Sequence, residues 1–199
     1  MWPMTLNDKI IFCLLNKKTM AYIMKDPPTA EWLFGNSQSS WIWLLVRLYL
    51  GYVWLVAGWA KVGTDAWTGA SAGKALGGFV AGALQKTGGA HPDVQSWYAA
   101  FLQNAVQTNP QFWSYLVAYG ELFVGVALIL GVLTGIAAFF GAFMNMNYLL
   151  AGTVSVNPQM FVLSIILILA WKVAGYLGAD RYLLPMFGTP WRPRKIFAS

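Results

Sequence analysis

The chain has 199 residues, of which 58% are hydrophobic and only 10% charged, with a formal net charge of +6. Soluble domains carry about 25% charged residues, so this composition excludes an ordinary soluble fold and favours an integral membrane protein. Basic residues form no basic helix face, and there is one cysteine and one histidine, so we expect no nucleic-acid partner, no metal site and no intrinsic cofactor.

Residues 1–30 precede the first long apolar run. Their apolar stretch, IIFCLL, is too short to cross a bilayer and too short for the core of a signal peptide. The sequence Lys25-Asp26-Pro27-Pro28 would end any secondary structure that precedes it. We therefore expect an N-terminal extension that is either disordered or an artefact of a gene start assigned upstream of Met20 or Met24.

Four near-continuous apolar runs follow, each close to the roughly 20 residues that a helix needs to cross a bilayer. They lie at residues 41–60, 111–131, 134–154 and 158–178. Polar and apolar residues do not alternate in them, which predicts helices rather than barrel strands. Short connections at 131–135 and 155–158 make the last three spans antiparallel neighbours. The predicted fold class is all-α, an integral membrane four-helix bundle within a domain at residues 31–191.

The segment between the first two spans, residues 62–110, is long and rich in glycine and alanine. Stretches 72–87 and 91–107 have helical spacing of apolar residues but are too polar or too rich in glycine to span. They predict short interfacial helices in a long extracytoplasmic loop. Lysine and arginine concentrate before the first span and after the last, which places both termini in the cytoplasm. We expect a multi-pass protein of the cell membrane with a basic cytoplasmic tail at 192–199.

Ionisable residues inside the spans indicate where a function lies, because a charge at the bilayer centre costs at least about 2.5–3.5 kcal/mol. Glu121 lies in the middle of the second span, Arg47 lies within the first span, and Lys61 stands at that span's outer end. The sequence predicts that Glu121 pairs either with Arg47 or with Lys61 and Asn147 in a cluster open to the outer side. Alternatively, Lys61 simply extends to the outer surface.

Three roles are open for these polar residues. They hold helices together, they form a pocket for a small anion or a quinone head group, or Glu121 transfers a proton. Asn147 is the preferred pocket residue over Asn145, since positions two apart on a helix face different directions. Asp180 and Arg181 are expected to form a local ion pair at the end of the fourth span.

Several motifs stand in a fixed order along the chain. They are AGWAKV (57–62), YGELFVGVALILG (119–131), MNMNYLLAGTVSVNP (144–158) and WKVAGYLGADRYLLP (171–185). Together with Arg47 they resemble the DoxX/DoxD family of small bacterial and archaeal membrane proteins, over about residues 31–191. The resemblance implies a four-helix membrane fold. It also implies a role like that of DoxD, the large subunit of a thiosulfate:quinone oxidoreductase with a small partner, DoxA.

If the protein has this chemistry, physical reasoning suggests roles for individual residues. Glu121 would donate or accept the proton that quinone chemistry needs. The anion would be held by Lys61, Arg47 and Asn147, and the quinone pocket would be lined by Trp59, Tyr119 and Tyr148. Expected partners are the lipid bilayer, thiosulfate or a similar small anion, quinone as electron acceptor, and a DoxA-like subunit or a second copy. Two other functions stay open: a non-enzymatic scaffold or assembly component of a redox or oxidative-stress complex, and a small-solute transporter.

Overall fold

The computed structural model describes residues 26–188, and this part of the chain is helical with no strand. Its ten α-helices are α1 (Pro28–Gly35), α2 (Ser40–Val62), α3 (Asp65–Thr68), α4 (Lys74–Leu84), α5 (Ser96–Phe101), α6 (Pro110–Leu130), α7 (Thr134–Leu150), α8 (Asn157–Leu169), α9 (Trp171–Ala174) and α10 (Asp180–Met186). The predicted all-α class is confirmed. The predicted basic tail and residues 1–25 of the predicted extension lie outside the described residues.

Among the described residues, α2 (with the short turn before it) and α6 are long and apolar enough to cross a membrane by length and composition. Large apolar side chains are exposed along their outer faces, among them Leu45, Trp59 and Leu130. Water disfavours an apolar surface of this extent, whereas lipid accepts it. The outer faces of both helices therefore fit contact with lipid.

The fourth apolar run is not one helix. The run at 134–154 contains α7, but the run at 158–178 contains α8, which ends at Leu169, and the four-residue α9. At 1.5 Å per residue α8 is about 20 Å long, shorter than the roughly 30 Å hydrocarbon core. The prediction of a continuous helix to residue 178 is therefore wrong. After α9 the chain packs against the turn between α6 and α7, where the backbone nitrogens of Ala179 and Asp180 donate to the backbone oxygens of Leu130 and Gly131.

Glycines allow α2 and α6 to pack with their backbones almost in contact. A Cβ on Gly58 would overlap the backbone of Leu122, and a Cβ on Gly125 would overlap the backbone of Leu55. Small residues at such crossings let apolar helices approach closely in membranes. Because the two contacts run in opposite directions along the two helices, they fix α2 and α6 as antiparallel and set their register.

The segment between α2 and α6 folds into a cap (residues 65–106) that packs on α6 and α7 around its own apolar cluster. The Ser114 hydroxyl donates to the backbone oxygen of Trp67 at 2.7 Å. On the other side, the Lys86 ammonium donates to the backbone oxygen of Gly152 at 2.7 Å. The cap is thus attached both to α6 and to the turn that follows α7. Its position at a membrane surface stays a prediction.

Gly58→Ala is expected to lower the free energy of unfolding by about 1–3 kcal/mol, because the added methyl must push α6 away from α2. Gly78→Ala in α4 is the matched control, since a Cβ there meets nothing within 4 Å. The control should be neutral or stabilising by up to about 1 kcal/mol. Thermal unfolding in detergent measures both, and equal transitions for the two variants would contradict the close contact of α2 with α6.

Candidate functional site

Glu121 is 1% exposed, and both of its carboxylate oxygens accept hydrogen bonds. The Lys61 ammonium donates to Oε2 at 2.5 Å and the Tyr148 hydroxyl donates to Oε1 at 2.5 Å. Lys61 keeps 21% of its side chain exposed, and its ammonium lies 5.2 Å from the centroid of the Trp67 ring, a cation–π distance. We call Lys61, Glu121 and Tyr148 the Glu121 triad.

Three different helices supply the triad. The close packing at Gly58 places the last turn of α2, with Lys61, beside the middle of α6. Tyr148 comes from the last turns of α7, where its ring lies 6.5 Å from the ring of Trp54 and 6.0 Å from that of Phe79. The phenol is therefore held between α2 and the cap, and its hydroxyl can reach Glu121.

An apolar cavity of about 670 Å³ adjoins the triad and lies between the cap, α6 and α7. Tyr98, Asn147 and Tyr148 line it at the cap end, and Val132 and Ile136 line it at the α6–α7 turn. Glu121 does not line it. The cavity thus has polar groups near one end only. Within residues 26–188 no three His, Cys, Asp or Glu side chains lie together as a metal site requires.

Asn147 closes the cap end of the cavity and does not join the Glu121 triad. The Tyr98 hydroxyl lies 3.0 Å from the Asn147 backbone oxygen and 3.1 Å from its Oδ1, and donates to them. The Asn147 amide nitrogen donates to the backbone oxygen of Phe143 at 2.8 Å. Burial raises the pKa of Tyr98 to about 12, so this hydroxyl stays protonated as a donor at neutral pH. The predicted cluster of Glu121, Lys61 and Asn147 therefore forms without Asn147. The amide of Asn147 is hydrogen-bonded to Phe143 within α7 and to Tyr98 of the cap.

Arg47 lies far from the triad. It is fully buried, and its Nη2 donates to the backbone oxygen of Leu177 at 2.9 Å. The register of α2 puts Arg47 about 20 Å from Lys61 along the helix, at 1.5 Å per residue, beside Gly131 and Gly178. The alternative in which Arg47 pairs with Glu121 is therefore wrong. Arg47 and Lys61 also cannot bind one small anion together.

Asp180 caps α7 rather than pairing with Arg181. Its carboxylate accepts from the backbone nitrogens of Leu133 at 2.5 Å and Thr134 at 2.8 Å. A carboxylate at a helix N-terminus satisfies free N–H groups there and interacts favourably with the helix dipole. The Arg181 guanidinium lies 5.1 Å from the Tyr176 ring centroid instead. The predicted local ion pair is wrong, and sequence reasoning missed the cap because the partners are more than forty residues apart.

The three residues predicted for a quinone pocket point in different directions. Tyr148 lines the cavity, whereas Trp59 is 71% exposed and lies outside it. Tyr119 also lies outside, on the outward face of α6, where it stacks on Tyr115 at 6.2 Å and on Phe123 at 6.3 Å between ring centroids. The residue that α6 offers to the cavity here is the neighbouring Gly120, which leaves room but carries no aromatic signal.

Apolar helices of membrane-spanning length, lipid-compatible outer faces and an ion pair buried between two of the helices define an all-helical, membrane-associated protein. The chain belongs to the DoxX family, whose family model matches residues 42–153, more than half of the sequence. The matched segment holds all three members of the Glu121 triad. No curated protein and no solved structure matches the chain.

Lys61→Met is expected to destabilise the protein by about 1.5–3 kcal/mol, since the Glu121 carboxylate then stays buried with one partner fewer. Glu121→Gln keeps an acceptor for Tyr148 and loses the ion pair. The double variant should lose less than the sum of the single variants, by about 0.5–3 kcal/mol. Chemical unfolding in detergent measures the cycle.

The matched control for this cycle is Lys74→Met, because Lys74 is an exposed lysine in α4. Its unfolding free energy should change by less than about 0.5 kcal/mol. Strictly additive effects of the Lys61 and Glu121 substitutions would show that the two side chains do not interact.

Proposed function

We propose that the protein is a multi-pass protein of the cell membrane in which α2, α6, α7 and α8 form a four-helix bundle, with both termini cytoplasmic and the cap outside. Membership of the DoxX family and the exposed apolar faces of α2 and α6 support this arrangement. Lysine and arginine are concentrated towards the two chain ends, in accord with the positive-inside rule. The short α8, continued by α9, would cross the bilayer packed against α7 rather than as an isolated span.

We further infer that the cavity binds a quinone and that the triad exchanges a proton with it. The observation that carries this inference is the buried Glu121–Tyr148 hydrogen bond at the wall of an apolar cavity. A volume of 670 Å³ falls within the roughly 300–1,000 Å³ of ligand pockets. The polar end next to Tyr148 suits a quinone ring, and the apolar length towards Ile136 suits an isoprenoid tail.

The chemistry assigns Tyr148 the contact with the ligand. Reduction of a quinone to a quinol takes two electrons and two protons, and a positioned phenol can give a proton to a ring oxygen. Glu121, ion-paired with Lys61 and accepting from Tyr148, holds no proton of its own at that stage. The Lys61 ammonium gives a proton that passes through Glu121 to the phenolate, and Lys61 takes its replacement from water at its exposed side. A second round of the same steps supplies the second proton. Glu121 thus acts as proton donor or acceptor through Tyr148, not by direct contact.

The electrons would come from a small sulfur anion such as thiosulfate, two of which give one tetrathionate and two electrons. Lys61 keeps 21% of its side chain exposed, so an anion can approach its ammonium. Glu121 neutralises that ammonium while it is ionised, so proton uptake by Glu121 favours the anion. Arg47 takes no part, because it is buried at the other end of α2. A DoxA-like subunit or a second copy would complete the anion site.

A non-enzymatic scaffold is the second candidate. Lys61 and Glu121 form a closed ion pair that holds α2 to α6, and such a pair needs no substrate. Under this function the cavity is filled by lipid chains or by a partner helix, and the triad serves only to fix the helices.

Val117→Phe is expected to weaken quinone binding by about tenfold or more, because Val117 lines the cavity and the larger ring takes space from the ligand. Val126→Phe, the same change on the exposed outer face of α6, should bind as the wild type does. Quenching of tryptophan fluorescence by added quinone in nanodiscs measures both. Equal affinities in the two variants would contradict binding in this cavity.

Tyr148→Phe is expected to keep quinone binding within a few-fold of wild type and to slow thiosulfate-dependent quinone reduction by roughly 100-fold or more, because the proton donor is lost. The measurement is quinol formation in proteoliposomes with a DoxA-like partner. Tyr119→Phe, which is 38% exposed on the outward face of α6, serves as the matched control and should retain activity. Wild-type protein without any turnover, with an intact assembly, would favour the scaffold.

A further inference from the structure

A second group of polar side chains lies in the core, apart from the Glu121 triad. The indole nitrogen of Trp54, both amide atoms of Asn145 and the hydroxyl of Ser164 are buried without a hydrogen-bond partner. These residues are 2%, 0% and 0% exposed, and they belong to α2, α7 and α8. A buried polar group without a partner costs free energy. Three such groups on three packed helices therefore need a common explanation.

The side chain of Trp54 covers one face of α7. A Cβ on Gly141 would lie 3.0 Å from its indole nitrogen, and its ring lies 6.5 Å from that of Tyr148. Asn145 lies between Gly141 and Tyr148, one turn from each on the same face of the helix. The indole therefore packs against α7 at Gly141, one turn from Asn145, where only a residue without a side chain lets it approach so closely.

Ser164 stands at a similar height on the neighbouring helix. Asn145 comes five residues before α7 ends at Leu150, and Ser164 comes seven residues after α8 begins at Asn157. Because α7 and α8 are antiparallel and joined by a short turn, their heights differ by only about 3 Å at 1.5 Å per residue. The three polar side chains therefore lie at similar heights on three packed helices.

We propose that Trp54, Asn145 and Ser164 form a water-binding site in the interior of the protein, between α2, α7 and α8. A buried water makes about three hydrogen bonds. The indole N–H supplies a donor, the Asn145 oxygen an acceptor, and the Ser164 hydroxyl either, so the set matches the needs of water. The site also lies one turn from Tyr148, and a role in proton exchange with that residue rests on the proposed function. The binding of water does not.

Radiolytic hydroxyl labelling tests the site, because a buried side chain is oxidised when a water lies beside it. Trp43 is the matched control: it is 3% exposed, and its indole nitrogen donates to the backbone oxygen of Leu33 at 2.8 Å. Cleavage after Arg47 puts the two tryptophans on different peptides. Trp54 is expected to be labelled several-fold faster than Trp43, with oxygen taken from isotopically labelled water. Equal, slow labelling of both residues would overturn the proposal.

Two variants separate a wet site from a dry one. Ser164→Ala removes one partner without adding bulk and should reduce the labelling of Trp54 but not that of Trp43. Asn145→Leu should lower the melting temperature if its amide binds water, whereas it should raise the temperature if the amide is unpaired in a dry core. A rise, or a Trp54 label unaffected by Ser164→Ala, would count against the site.

Failure of this proposal is distinguishable from failure of the proposed function. If Trp54 is labelled but the protein binds no quinone, the water site stands and the proposed quinone function fails. If Trp54 is not labelled but quinone reduction depends on Tyr148, the proposed function stands and the water site fails.

Discussion

The close contact of α2 with α6 at Gly58 and Gly125 is the constraint on which the rest of the structure depends. Backbone contact leaves no freedom in the register of the two helices, so Lys61 must lie beside Glu121. A carboxylate this deep is tolerable only with a cation and a hydrogen-bond donor at hand. The glycines therefore not only allow close packing but also set the helix register, and this register determines which charged side chains form an ion pair. Larger side chains would separate the helices and leave Glu121 without its partner.

The same helix pair carries a second polar centre at its opposite end, and the two centres have different tasks. There Arg47 bonds the backbone of Leu177, while Asp180 caps α7 and interacts electrostatically with Arg47. The Arg47 contact joins the segment after α8 to α2, and the Asp180 contacts join it to the α6–α7 turn. A Cβ on Gly178 would collide with the Arg47 guanidinium, so the bend after α8 and the buried arginine require each other. The Nε and Nη1 atoms of Arg47 are buried without a hydrogen-bond partner, so the burial of this arginine is only partly compensated, whereas both oxygens of Glu121 are satisfied.

The sequence indicates the helical class and the importance of Glu121 well, because both follow from local composition and from the cost of burying a charge. It does not indicate which cation meets Glu121, since that depends on the register set by Gly58 and not on depth counted from the span ends. It also favours Trp59 and Tyr119 as pocket residues because they are aromatic. The helix face on which a residue lies determines whether it lines the cavity. Gly120 faces the cavity, whereas Tyr119 faces outward. The break after Leu169 lies inside a continuous apolar run, so composition does not reveal it.

The separation of Glu121 from the cavity by Tyr148 narrows what the site can do. An acid that lined the cavity would place a charge against an apolar ligand, whereas a phenol presents a neutral donor and keeps the carboxylate and its lysine behind it. Any ligand in the cavity therefore senses the state of Glu121 only through the Tyr148 hydroxyl. For a scaffold this hydroxyl is one packing hydrogen bond among several. For quinone chemistry it is the sole link between the ion pair and the ligand. The two functions therefore differ in the role that they give to the Tyr148 hydroxyl.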